Sequence, residues 1–138
     1  MNLERSIIEN KILRNKPIGV LDSGVGGLTV LKQLKKYLPN EDFIYFGDTA
    51  RVPYGTKSKK TIIRFAVEDS YFLLSKNVKV IVVACNSASS NAINELKRRF
   101  EVPFIGVIEP TIKRVAEIIK SKRIGVIGTY ATINSNIY

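Results

Sequence analysis

Three short segments of this chain bring together residue types that do chemistry. Cys85 is the only cysteine in a chain with no histidine. It stands where the apolar run Val80-Ile81-Val82-Val83-Ala84 gives way to Asn86-Ser87-Ala88-Ser89. A thiol between the carboxyl end of a strand and the start of a helix feels the positive end of the helix dipole, which favours thiolate. A thiolate is both a nucleophile and a base. Without histidine no Cys–His pair can form within the chain, so another group must tune Cys85. Asn86 and Ser87 place donors and acceptors beside it, and Ser87 is a suitable helix cap. The competing reading is a buried structural cysteine behaving as a small apolar residue.

The second segment is Asp22-Ser23-Gly24-Val25-Gly26-Gly27-Leu28. A carboxylate and a hydroxyl end a strand, glycines let a ligand approach the backbone, and the following helix N-terminus offers free N–H groups to an anion. A plain glycine turn with Asp22 as its cap is the alternative. The third is the loop from Gly47 through Asp48, Arg51 and Tyr54 to Gly55, with an acid, a base and a phenol. Long loops at a ligand-binding edge are often functional; an ordinary connection with Arg51 paired to Asp48 is the alternative. One cysteine and no histidine cannot build a zinc site, and no metal site is expected. No Gly-x-x-x-x-Gly-Lys-Ser/Thr phosphate loop occurs.

The elements that must position these segments alternate. Apolar runs at 18–21, 43–46, 78–84, 104–108 and 124–127 read as strands. Helical periodicity over 26–38, 58–76, 87–100 and 111–120 lies between them, and a further helix opens at about Thr132. Leu28, Leu31, Leu34 and Leu38 form the apolar stripe of the first helix, Ser58 caps the second, and Ile62, Ala66, Leu73 and Leu74 point inward from it. Such alternation implies an α/β fold, a parallel sheet with helices on both faces. Ligands then sit beyond the carboxyl ends of the strands. Those ends carry Asp22-Ser23, Gly47-Asp48, Cys85-Asn86-Ser87, Glu109 and Thr129.

Residues 18–23 and 124–129 echo each other as strand, small-residue turn and helix start. This suggests the first of two similar domains plus the start of the second: an N-terminal extension at 1–16, a first α/β domain at 17–103, and the beginning of a second at 104–138. On this reading the chain is part of a longer one.

Bulk composition agrees. The 138 residues are 45% hydrophobic and 25% charged, a globular and not a disordered composition. A single cysteine excludes an internal disulfide framework and suits a reducing compartment. No signal-peptide core and no membrane-length apolar stretch is present, so a cytoplasmic protein is expected. The net charge is +10, but its lysines and arginines are scattered over helix faces and ends without interleaved stacking aromatics. They read as solvated faces; no nucleic-acid partner is expected, and an anionic small substrate suits the charge equally well.

Taken together, Asp22 to Leu28, Tyr45 to Gly55 and Ala84 to Ser89 resemble the glutamate racemases of the aspartate/glutamate racemase superfamily, in the same order and at similar spacing. The segments Gly106-Val107-Ile108-Glu109-Pro110 and 124–132 are also similar, so the resemblance covers residues 17–138. It implies cofactor-independent interconversion of L- and D-glutamate, supplying D-glutamate for peptidoglycan. It implies two α/β domains with a site between them, where one cysteine removes the α-proton and another delivers a proton to the opposite face. Cys85 corresponds to the first cysteine and Asp22 to the acid that assists it. Ser23, Tyr54, Gly55, Asn86 and Ser87 correspond to substrate-holding positions, and Thr129 and Thr132 to carboxylate binders. Ser87 replaces the usual threonine and keeps the hydroxyl. The second cysteine belongs to a Cys-Thr-His segment that this sequence lacks, so the chain carries one face of a two-faced site and is not expected to invert the centre alone. A homodimer of the complete enzyme is compatible with all of this.

Two rival readings remain. One is an aspartate or broad-specificity amino acid racemase. The other is a dinucleotide-binding domain, with Gly24-Val25-Gly26 after a strand and Asp48 ending the next one about 20 residues on. That pattern fails at its third glycine, where Thr29 stands.

Overall fold

The computed structural model describes residues 15–120 and 123–138. Most of the N-terminal extension expected over 1–16 therefore lies outside the described residues. Four strands, β1 (Ile18–Asp22), β2 (Phe43–Gly47), β3 (Val80–Val83) and β4 (Phe104–Gly106), form one sheet in the order β2-β1-β3-β4. All neighbours are parallel, with Ile18 opposite both Phe43 and Val80, and Ile81 opposite Phe104. Parallel neighbours require crossover connections, and the helices supply them. Helix α1 (Leu28–Tyr37) joins β1 to β2, and α2 (Lys59–Ser75) joins β2 to β3. The short pair α3 (Asn86–Asn91) and α4 (Ile93–Arg99) joins β3 to β4.

Helices cover both faces of the sheet. Val30, Leu31 and Leu34 of α1 pack on Ile18, Val20, Val82 and Ala84. On the other face Ile62, Phe65, Ala66 and Leu73 of α2, Ala88 of α3 and Leu96 of α4 pack with Leu21, Ile81 and Val83. The two clusters follow the alternation of side chains along β1 and β3. The stripe of α1 differs from the expected one at its ends, where Leu28 and Leu38 are exposed. Ser58 caps α2 by accepting a hydrogen bond from Thr61 N at 3.2 Å.

Three expectations need correction. The helix expected over 87–100 breaks at Ala92. Its first half, Asn-Ser-Ala-Ser-Ser-Asn, is a weak helix former whose side chains bond the backbone instead: Ser90 Oγ and Asn91 Nδ2 both donate to the Ser87 carbonyl. The strand expected over 104–108 is shorter, because helix α5 (Ile108–Ile118) begins with Glu109 and Pro110 in its first turn, where proline is tolerated. Most consequentially, β4 pairs with β3 and Phe104 is buried in the core. A domain boundary at 103/104 would cut through this sheet.

The strand expected at 124–127 pairs with no other strand among the described residues, and Ile124, Val126 and Ile127 are exposed. Beyond it a single turn, α6 (Tyr130–Ile133), capped by Thr129 Oγ1, lies against α3 and against a 3-10 turn at Tyr54–Thr56. No helix among the described residues is long and apolar enough to cross a membrane.

The end of β2 is pressed onto the turn after β1. A Cβ on Gly47 would stand 2.1 Å from the Gly24 carbonyl oxygen, inside any permitted contact. Gly47→Ala is expected to cost more than about 2 kcal/mol in urea unfolding. A loss below about 0.5 kcal/mol, the range of a neutral surface change, would contradict this packing.

Candidate active site

Chain order reverses between β1 and β3: the connection from β1 runs to one side of the sheet, and the connection to β3 returns to the other. No crossover fills the space above the reversal, so a crevice opens there. Asp22 ends β1 and Cys85 follows β3, and both line a cleft of about 700 Å³. Ser23, Tyr54, Gly55, Asn86, Ser87 and Thr129 line the same cleft. Residues far apart in sequence thus converge because three loops leave one end of the sheet.

Cys85 is the N-cap of α3, and its Sγ accepts from Ala88 N at 3.5 Å. The thiol donates to Ser23 Oγ at 3.3 Å. The sulfur therefore sits at a helix start with a hydroxyl beside it. Asp22 is 5% exposed. Its Oδ2 accepts from Gly24 N at 3.1 Å, Gly27 N at 3.0 Å and the Tyr45 hydroxyl at 3.2 Å. The turn and the carboxylate hold each other.

On the far wall Ser87 Oγ and Thr129 Oγ1 are 2.9 Å apart. Asn91 Nδ2 donates to Ala131 O at 3.0 Å, tying α6 to α3, and the Tyr138 hydroxyl donates to Asn86 Oδ1 at 2.9 Å. Gly55 lies so close to Thr129 that a Cβ on it would be 2.5 Å from the threonine Cβ. Thr132 does not line the cleft. It is buried, and its N–H donates to Thr129 Oγ1 at 3.3 Å while its own hydroxyl accepts from Thr129 at 3.1 Å, so it orients Thr129. Glu109 is exposed and paired with Lys113 at 2.9 Å, away from the cleft.

The Gly47–Gly55 loop is held from beneath by buried charge. The Tyr54 hydroxyl lies 2.5 Å from Asp48 Oδ2 and 2.7 Å from Asp69 Oδ2. Arg51 donates to Asp48 Oδ2 and to Asp69 Oδ1, each at 2.6 Å, and also to Glu68. The Arg51–Asp48 pairing read as an alternative to function is present, and the loop lines the cleft as well. Asp48, the acid that a dinucleotide-binding reading assigns to a ribose, is buried in this network.

Burial, with the Asp48 charge adding to it and the Tyr54 hydrogen bond opposing it, pushes the Asp69 carboxyl up to about 6. Burial and both carboxylates also push the Tyr54 phenol up. One phenolic proton cannot serve two carboxylates at once, and the raised Asp69 carboxyl is the group able to supply a second one.

Asp69 and Tyr45 are absent from the sequence-derived set. The available signal for Asp69 was an acid three residues after Ala66 and four before Leu73, on the inward face of α2. Tyr45 has no such signal.

A family description, Asp/Glu/Hydantoin racemase, matches residues 18–138. The chain belongs to this racemase family. It is 55% identical over 123 residues to the glutamate racemase of Geobacter metallireducens, covering 89% of this chain and 46% of that protein. The crystal structure of glutamate racemase from Thermus thermophilus in complex with β-chloro-D-alanine matches with a TM-score of 0.83 and 53% identity, covering 89% of this racemase-family chain and 47% of the other. The Francisella tularensis enzyme in complex with D-glutamate matches with a TM-score of 0.83 and 49% identity, over 91% and 47% of the two chains. The chain spans about half the length of the curated relatives it matches.

Because folded Asp69 holds its proton more tightly than an ordinary carboxyl near 4 does, its contribution to stability is full below pH 4 and lost as pH rises through 6. Urea unfolding of the wild type and Asp69→Asn should diverge by about 1–3 kcal/mol between pH 4 and pH 7, the wild type weakening relative to the variant. Parallel stability curves would remove the titration from Asp69.

Proposed function

We propose that this chain supplies one face of a cofactor-independent glutamate racemase, in which Cys85 exchanges the α-proton of glutamate. The observation that carries the reading is the convergence of Cys85, Asp22, Ser23, Tyr54, Gly55, Asn86, Ser87 and Thr129 on one cleft. They do so in a chain 49% identical to an enzyme crystallised with D-glutamate.

The α-proton of an amino acid is only weakly acidic, so its removal needs an oriented base and stabilisation of the carbanion. Cys85 Sγ as thiolate takes the proton, and the electron pair stays on the α-carbon, delocalised into the α-carboxylate. The hydroxyls of Ser87 and Thr129, 2.9 Å apart, are placed to hold a substrate carboxylate. Thr132 serves by fixing Thr129, and Asp22 by assisting Cys85. Inversion requires a proton delivered from the opposite face, and this sequence has neither a second cysteine nor a histidine to deliver it. The chain by itself is therefore expected to exchange the α-proton without inverting the centre. D-glutamate for peptidoglycan, a cytoplasmic location and a homodimer of the full-length protein complete the reading. Aspartate is the rival substrate, and a direct comparison of the two amino acids decides between them.

In the full-length protein, Cys85→Ser should lower kcat for glutamate racemisation by more than about 10³-fold with the fold intact, since a hydroxyl is a far poorer base than a thiolate. Circular dichroism of glutamate optical activity reads the rate. Full activity in the variant would remove Cys85 from the chemistry.

A further inference from the structure

Tyr45 has no part in the chemistry outlined above, yet its hydroxyl reaches both atoms that shape the turn after β1. It lies partly buried on β2, packed against the cluster of Ile18, Val20, Val82 and Ala84. The hydroxyl is 2.8 Å from the Gly24 carbonyl oxygen and 3.2 Å from Asp22 Oδ2. One phenolic proton is thus shared between the turn backbone and the carboxylate. The Gly24 carbonyl also abuts Gly47, two residues along the same strand, so β2 grips the turn at two points.

Among the described residues every hydrogen bond to the Asp22 carboxylate falls on Oδ2. Oδ1 is the oxygen left for the cleft, which Asp22 lines. Burial and the neighbouring Asp22 charge both raise the Tyr45 phenol, which keeps it a donor throughout the working range. A carboxylate held by several fixed donors keeps one orientation. Cys85 is bonded to Ser23, the residue next to Asp22, and lines the same cleft.

We propose that Tyr45 is a positioning residue that acts on Cys85 through Asp22. Its phenol holds Oδ2 to the turn and directs Oδ1 to the cleft, and so keeps in place the carboxylate that assists Cys85. The kinetic consequence rests on the racemase reading, whereas the effect on thiol reactivity does not.

The test uses the full-length protein and two readouts: the rate of iodoacetamide alkylation of the Cys85 peptide by mass spectrometry at fixed neutral pH, and glutamate racemisation. Tyr45→Phe keeps the ring and removes the donor. It should slow alkylation by about threefold or more, because Asp22 Oδ2 then loses one of the bonds that fix it. Asp22→Asn should slow alkylation at least as much, and adding Tyr45→Phe to Asp22→Asn should change the rate by less than about 1.5-fold, the signature of action through one partner. For racemisation, Tyr45→Phe should lower kcat by about tenfold while KM moves by less than about threefold.

The proposal is overturned if Tyr45→Phe alkylates at the wild-type rate, or is slowed equally with and without the Asp22 carboxylate. Should Tyr45→Phe fail to fold, Asp22→Asn alone still decides, since an unchanged alkylation rate leaves Tyr45 nothing to act through. If the alkylation rates behave as stated but the wild type does not racemise glutamate, the proposed function falls and the role of Tyr45 stands.

Discussion

Asp22 Oδ2 accepts hydrogen bonds from three directions: the start of its own turn, the foot of α1 and the neighbouring strand. A carboxylate in these surroundings cannot be left partly bonded without a large desolvation cost. The backbone from Ser23 to Gly27 is consequently not free to adjust, and Ser23 Oγ is delivered to the Cys85 sulfur from a fixed point. The parallel sheet sets the distance between β1 and β3; the bonded carboxylate sets the angle at which the turn leaves it. The rest of the cleft is arranged around that turn.

A second buried polar group performs the same task for the opposite wall. The loop after β2 is too long and too polar to be fixed by apolar packing, and it folds over Tyr54, Asp48, Asp69 and Arg51. Arg51 lies 4.2 Å above the Phe65 ring as well, so its cation is met by carboxylates on one side and a π face on the other. Networks of this kind are rigid when fully satisfied. Tyr54 therefore lines the cleft with a hydroxyl already engaged beneath it, and the parts of the loop that remain for a ligand are its backbone and Gly55.

Much of this was legible in the sequence for a simple reason. Buried parallel strands read as continuous apolar runs, and residues at their carboxyl ends share one edge of the sheet whatever else the fold does. Asp22, Ser23, Cys85, Asn86 and Ser87 follow from that rule alone. The rule stops where pairing must be known: 124–127 has the same pattern as 18–21 but no partner strand among the described residues, and Phe104 has a partner where a boundary was expected. Thr132 stands one helical turn from Thr129 and is equally polar, yet it is buried, and only coordinates separate a group that meets the cleft from one that holds its neighbour. Tyr45 is hidden for another reason. A tyrosine in a strand is explained by packing, and nothing in its spacing reveals where its hydroxyl ends.

The contact between Gly55 and Thr129 constrains how sequences with this cleft can drift. A side chain at 55 would collide with the threonine Cβ itself, so serine or alanine at 129 brings no relief. Only glycine at 129 would make room, and it would discard the hydroxyl that meets Ser87. No single compensating change connects the two states. Positions 55 and 129, separated by most of the chain, are bound to remain glycine and a hydroxyl residue together or to be lost together.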